Sequence, residues 1–298
     1  MATSVPATTA AGTAEIKLDR LFVPIDFSPL SERAVDYARR IAGRHNAEIL
    51  LAHVSQPVSN MAVPEAAWYH LQAAEHKESQ QLAQIGARLR SEGLQARTIS
   101  LSGLLQDEIP CCSKQECSDL IVLGTYINSG IERLLFGCDS EVLFRHAGCP
   151  VLAIGPNTRP APDHPWNLKD VVCASDLRPQ SAPAAAFAWR IAQKYEAAFT
   201  LLHVECRSTK ISTEDRSRFE QSLASILPEA ENLTSTLRSL PSGHTPSSTI
   251  VDQARQRHSD LIVMGAHPCS AAATRLPRGI TAQVISEAPC PVLVLHTP

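Results

Sequence analysis

Asp119-Leu-Ile-Val-Leu-Gly124, a twelve-residue connection (125–136), Gly137-Cys138, and then Cys149-Pro150-Val-Leu-Ala-Ile154 decide the fold of this chain. An apolar run closed by glycine predicts a parallel strand buried on both faces. Gly137 opens a short helical pattern, and the second apolar run predicts the next strand. Strand, loop, helix N-terminus and strand form the layout in which unpaired backbone N–H groups can hold an anion. The pattern returns 141 residues later as Asp260-Leu-Ile-Val-Met-Gly265 and Cys290-Pro291-Val-Leu-Val-Leu295.

Upstream, Leu168 to Val204 replays Leu18 to Val54 at a constant offset of 150, with 12 identities over the 34 positions from Leu21 to Val54. Asp26 matches Asp176, Pro29 matches Pro179, Ser31 matches Ser181, and His53-Val54 matches His203-Val204. No gap is needed, so chance is a poor explanation. Each copy alternates strand and helix: Leu21–Ile25, a helix after Ser28-Pro29, Ile49–Val54, a long helix over Glu65–Ser91, Gln95–Leu101, and a helix within Leu104–Glu116. Ser28 is placed to cap the first helix with Pro29 at its first position. Pro110 is expected to kink or shorten the third helix. The second copy is shorter between its second and third strands and keeps a helix over Thr213–Ile226. The alternation predicts two tandem doubly wound α/β domains with parallel sheets. Domain 1 is expected over 16–155 and domain 2 over 168–298. The proline-rich 156–167 joins them as a semi-rigid linker, and 1–15 reads as a disordered tail.

A chain of 298 residues with 44% hydrophobic and 19% charged residues suits about two ordinary globular cores. The net charge of −3 offers no general attraction to nucleic acid or anionic lipid. No apolar run reaches the ~18 residues that span a bilayer, and the N-terminus has no secretory pattern. The nine cysteines include no CxxC pair. They read as reduced thiols of a cytoplasmic protein, and no metal site is expected. No nucleophile elbow, Walker loop or HExxH is present, so no catalytic residue is assigned.

In an open doubly wound sheet the ligand crevice forms where strand order reverses. If the first and fourth strands flank that point, Asp26 and Gly124 meet there and the Gly137-Cys138 helix start points amides into it. Asp26 then either receives hydrogen bonds from a base or ribose or orders its own turn.

These residues carry a resemblance. Val-Pro-Ile-Asp26-Phe-Ser28, His53-Val54, Asp119–Gly124, Cys149-Pro150-Val-Leu and their second copies, through Gly265-Ala-His267 and Ala288–Leu295, resemble a tandem universal stress protein over nearly the whole chain. The resemblance implies a Rossmann-like fold of the adenine nucleotide alpha hydrolase type. It also implies five-stranded parallel sheets of order 3-2-1-4-5 and dimer-like pairing of the two domains through their fifth strands. Further homodimerisation is compatible with it.

Nucleotide-binding members carry Gly-x2-Gly-x9-Gly-Ser/Thr, and matching this motif nominates Asp26, Val54, Gly124, Gly137 and Cys138 in the first repeat. The same matching nominates Asp176, Val204, Gly265, Arg278 and Gly279 in the second. The first loop departs from the motif, with Ile127 at the middle glycine and Cys138 at the hydroxyl. A β-branched residue resists positive φ, a thiol is a weak donor, and Asp139 repels a triphosphate. The second loop has Pro268 and Arg278 at the two later glycine positions, with Gly279 at the hydroxyl.

Three readings stay open. The first is a non-catalytic stress-response protein with degenerate loops that acts through protein partners the sequence does not name. The second is an adenine-nucleotide switch or slow ATPase that uses ATP, with Mg, in domain 1. The third is a thiol-based redox sensor through Cys138 or the Cys111, Cys112 and Cys117 group.

Overall fold

The spacing of Ala34, Val35, Ala38, Ile41 and Ala42 folds as an amphipathic helix, α1 (Pro29–His45), and all five are buried. Ser28 Oγ accepts from Ser31 N at 3.2 Å, and Asn46 closes the helix at φ 55°. The computed structural model of the chain describes residues 16–55, 65–125, 146–205, 212–226, 235–239, 245–266 and 279–296. The expected tail over 1–15 lies outside them, as do the loop glycine Gly137 and Cys138.

The first repeat contains β1 (Arg20–Pro24), α1, β2 (Glu48–Ser55), α2 (Glu65–Ser91), β3 (Ala96–Ser102), α3 (Leu105–Gln115), β4 (Leu120–Gly124) and β5 (Val151–Ile154). The second contains β6 (Asp170–Ala174), a 3₁₀ turn (Pro179–Ser181), α4 (Ala182–Tyr195), β7 (Ala198–Glu205) and α5 (Thr213–Ile226). It continues with β8 (Ser235–Ser239), α6 (Pro246–Arg257), β9 (Leu261–Ala266), α7 (Ile280–Glu287) and β10 (Val292–His296). The ten strands form one sheet in the order β3-β2-β1-β4-β5-β10-β9-β6-β7-β8. Each half therefore has the order 3-2-1-4-5, and within each half the recorded ladders are parallel. The halves meet edge to edge, with β5 antiparallel to β10 and Leu152 opposite Leu293.

Side chains alternate along the strands into two cores, one on each sheet face. Leu21, Val23, Ile49, Leu51 and Val122 pack towards α1, α2, α4 and α5, while Phe22, Leu50, Ile121 and Leu123 pack towards α3, α6 and α7. Both cores run across the seam into the second repeat.

One expectation needs correction. Pro110 does not shorten α3, which runs from Leu105 to Gln115 with Pro110 buried inside it. The first turn of α4 does not copy that of α1. Arg178 stands where Ser28 caps α1, so the side-chain cap is absent and a 3₁₀ turn leads into the helix.

The segment 156–167 is bound to both repeats. Arg33 Nη1 donates to Thr158 O at 2.8 Å, Tyr37 Oη to Arg159 O at 2.9 Å, and Arg40 Nη1 to Asp163 O at 2.6 Å. On the other repeat, Asn157 Nδ2 donates to Ser286 O at 2.8 Å and Arg159 Nε to Pro289 O at 3.0 Å. Gly155 begins this path, and a Cβ there would lie 1.9 Å from Ile285 O.

Candidate functional site

Strand order reverses between β1 and β4 and again between β6 and β9. The start of each reversal is clamped in the same way. Asp119 Oδ2 accepts from the amides of Asp19 and Arg20, both at 2.9 Å. Asp260 Oδ2 accepts from Lys169 and Asp170, at 2.7 and 3.2 Å. The aspartate opening each Asp-Leu-Ile-Val run thus fixes the register of the strand pair.

The carboxyl ends differ. The β1–β4 ladder covers Leu21↔Leu120 and Phe22↔Ile121. The β6–β9 ladder, in the same register, continues to Cys173↔Val263 and Ala174↔Met264. The cause is one residue. Arg20 O accepts from Asp119 N, whereas Ile25 N donates to Ala52 O of β2. Even-numbered residues of β1 therefore present their backbone to β4, and Pro24 has no N–H to present. Ala174, its counterpart, keeps the donor. The first crevice opens two residues earlier than the second.

Beyond each first strand the chain turns sharply. Phe27 and Leu177 hold φ of 62° and 56°, a left-handed conformation that costs roughly 1–2 kcal/mol without glycine. The aspartates hold these turns. Asp26 Oδ1 accepts from Ser28 N at 3.0 Å. Asp176 Oδ1 accepts from Arg178 N at 3.0 Å and from Ser181 Oγ at 2.8 Å. Of the two roles open to Asp26, ordering its own turn is the one these contacts display. Its Oδ2 has no hydrogen-bond partner among the described residues.

Val54, at the end of β2, is 8% exposed and belongs to the core. Strand order sets it on one side of Asp26, with Gly124 on the other. Gly124 is required by packing, because a Cβ there would lie 2.4 Å from Leu30 O and 2.7 Å from Ser31 N. Its bare backbone faces the first turn of α1. Thr125 follows it, fully buried, with its amide bonded to Ile154 O at 3.0 Å. Thr125 Oγ1 has no hydrogen-bond partner among the described residues. A buried, unpaired hydroxyl costs about 1–3 kcal/mol and calls for a partner. The counterpart of Thr125 in the second repeat is Ala266, a methyl group with no such need.

The matching histidines also diverge. His53 Nδ1 bonds Ile25 O at 2.8 Å, and its Nε2 lies 3.2 Å from Glu78 Oε2. His203 Nδ1 bonds Ser175 O at 2.8 Å, while its buried Nε2 has no partner among the described residues.

Of the second-repeat candidates, Asp176 and Val204 stand as counterparts of Asp26 and Val54. Gly265 lies within β9, opposite Leu295. Gly279 is exposed at the N-cap of α7. Arg278, like Gly137, Cys138, Ile127, Asp139 and Pro268, lies outside the described residues. Sequence reading missed Pro24 and Thr125; setting the repeats side by side, Pro24 against Ala174 and Thr125 against Ala266, would have exposed both.

Cys111 and Cys117 are exposed, and Cys112 is buried. Burial, helped by Glu116, pushes the Cys112 thiol above its ordinary pKa, which disfavours the reactive thiolate. Among the described residues, no group of three or more His, Cys, Asp or Glu side chains is placed to hold a metal, and no helix is long and apolar enough to cross a membrane.

A family model described as the universal stress protein family matches residues 17–155 and again 167–296. A universal stress protein of Methanocaldococcus jannaschii is 29% identical over 137 residues, 45% of this chain and 81% of its own length. The Bacillus subtilis universal stress protein YxiE is 28% identical over 145 residues, 46% of this chain and 98% of its own. Among solved structures, a universal stress protein from Archaeoglobus fulgidus superposes with a TM-score of 0.71 at 19% identity. That match covers 95% of this chain and 97% of the other.

Proposed function

Because the chain belongs to the universal stress protein family, we propose that it is a non-catalytic stress-response protein of the cytoplasm, working as an intramolecular pseudo-dimer. In this reading it signals through protein partners, with nucleotide confined to the first repeat and weakly held. The antiparallel β5–β10 seam supports the pairing. The observation that carries the asymmetry is the buried Thr125 hydroxyl just beyond β4, which has no hydrogen-bond partner among the described residues. It fits the first repeat to a polar ligand. The second repeat has the longer ladder and Ala266 at the matching position, and its buried polar atoms without a partner among the described residues include His203 Nε2 instead. Asp26 and Val54 would face the base and ribose of an adenine nucleotide, and Gly137 and Cys138 its phosphates. Ile127, Cys138 and Asp139 weaken that grip for the reasons given above. Isothermal titration with ATP and AMP, with and without Mg, tests this. The expected result is one site per chain with Kd weaker than about 100 µM; micromolar ATP affinity would refute the weak-binding reading.

Thr125 also favours a second reading, a nucleotide-operated switch or slow ATPase in the first repeat. Under it, Asp26→Ala abolishes nucleotide retention on purification. Unchanged retention in that variant rules it out.

A further inference from the structure

We infer that a cavity between the repeats, far from the crevices, is a binding site for an indole-sized planar aromatic ring carrying an acidic substituent. The cavity has a volume of about 350 Å³, at the lower end of the range for small-molecule sites. Its floor is Leu120, Leu152, Leu293 and Leu261, side by side on the four central strands β4-β5-β10-β9. Ile41 of α1 and Phe187 of α4 face each other above them.

A difference between the repeats contributes to the cavity. Offset by 150, Ile16 is the counterpart of Trp166 and Phe187 is the counterpart of Tyr37. The segments are placed alike, each against the helix of the other repeat: Trp166 N donates to Arg40 O at 3.5 Å, and Lys194 Nζ donates to Ile16 O at 2.6 Å. On one side the Trp166 indole packs edge-on against Tyr37, with centroids 5.6 Å apart at 77°. On the other side isoleucine stands in place of that indole, beside Phe187, and the space remains. Interiors rarely leave such space unfilled. A largely apolar wall gives water few hydrogen bonds, so an apolar occupant is favoured.

The twin site shows what fits: one aromatic ring, edge-to-face with the ring of α4, a geometry aromatic pairs prefer. The rim adds charge selection. Lys17 and Arg190 line it against one carboxylate, Asp119, whose Oδ2 already takes two backbone amides. An anionic substituent is therefore preferred over a cationic one. The cavity also touches Trp166 and Tyr195. Trp166 is buried.

The test is calorimetric titration of the full chain with indole-3-propionate, indole and tryptamine. We expect saturable 1:1 binding of indole-3-propionate with Kd below about 1 mM, indole weaker, and tryptamine weakest. Ile16→Trp should place an indole in the part of the cavity beside Phe187 and abolish binding. Phe187→Leu should weaken binding roughly tenfold. If Ile16→Trp does not fold, the calorimetric Kd of Phe187→Leu, expected roughly tenfold weaker, carries the same decision. Absence of saturable binding in the full chain would overturn the proposal. So would binding unchanged in both variants, or binding that emerges only when residues 1–15 are removed, which would assign the space to the chain itself.

Discussion

Between β1 and β4 the ladder stops at Phe22, and between β6 and β9 it runs two residues further, although both pairs start from the same aspartate clamp. Just beyond β4 the first repeat carries a buried hydroxyl with no partner among the described residues, whereas the second has Ala266 at that place. The turn beyond β6 is the more fully tied, since Asp176 accepts from Arg178 N and Ser181 Oγ, where Asp26 accepts from Ser28 N. Duplication has kept the sheet and let the two ends diverge. Strand register is enforced by burial on both faces, where a one-residue slip would move every side chain to the opposite face. The loop ends carry no such constraint.

The largest effect expected separates the two seam positions Gly155 and His296, which are counterparts by the 141 offset. Gly155→Ala drives a methyl into Ile285 O and should cost about 3 kcal/mol or more. His296 is exposed, and His296→Ala should stay within about 0.5 kcal/mol. Chemical denaturation reads both, and equal losses would break the comparison.

Next come the two aspartates. Asp176→Ala should lose about 1–2 kcal/mol and Asp26→Ala about half that, following the hydrogen bonds just named. A reversed order would mean that Asp26 carries weight beyond its own turn.

A smaller change is expected for Pro24→Ala. A regained ladder bond contributes about 0.5–1.5 kcal/mol, and the lost proline constraint on the unfolded chain offsets about 0.4–1 kcal/mol. Stability should therefore move little. Protection of the new amide at position 24 against hydrogen exchange shows whether the ladder has closed. An unprotected amide would disprove the account of the open crevice.

The smallest effect lies at His45, whose counterpart is Tyr195, and the two touch with His45 Nε2 2.6 Å from Tyr195 Oη. Burial, then Lys194 and Arg44, lower the His45 pKa. The unfolded chain therefore takes up this proton at a higher pH than the folded one does. Stability is intact above the ordinary histidine pKa and declines as pH falls through the lowered value. His45 is only partly buried, so the loss should stay under about 1 kcal/mol. Thermal midpoints between pH 7.5 and 5 in the native chain and in His45→Phe should show a slope only in the former.

The fold was legible wherever burial writes a pattern. The runs Leu120–Gly124 and Val151–Ile154, and their copies, are strands because both faces of the sheet are covered. Ser28-Pro29 read as a helix start and is one, with Ser28 Oγ on Ser31 N. The site was less legible. Gly124 looked like part of an anion cradle, yet its missing side chain is demanded by Leu30 and Ser31, which lie far from it in sequence. Pro110 looked like a helix breaker, yet it lies buried inside α3.

By itself the sequence determined the duplication, the strand–helix alternation and the family, because periodicity and repetition are local and written residue by residue. Tertiary structure alone decided which residues lie against one another. The seam of Leu152 on Leu293, the opening at Pro24, the buried Thr125 and the space beside Ile16 all depend on neighbours about 30 to 170 positions away in the chain. Packing and hydrogen-bond satisfaction are properties of such distant pairs, and a linear pattern cannot state them.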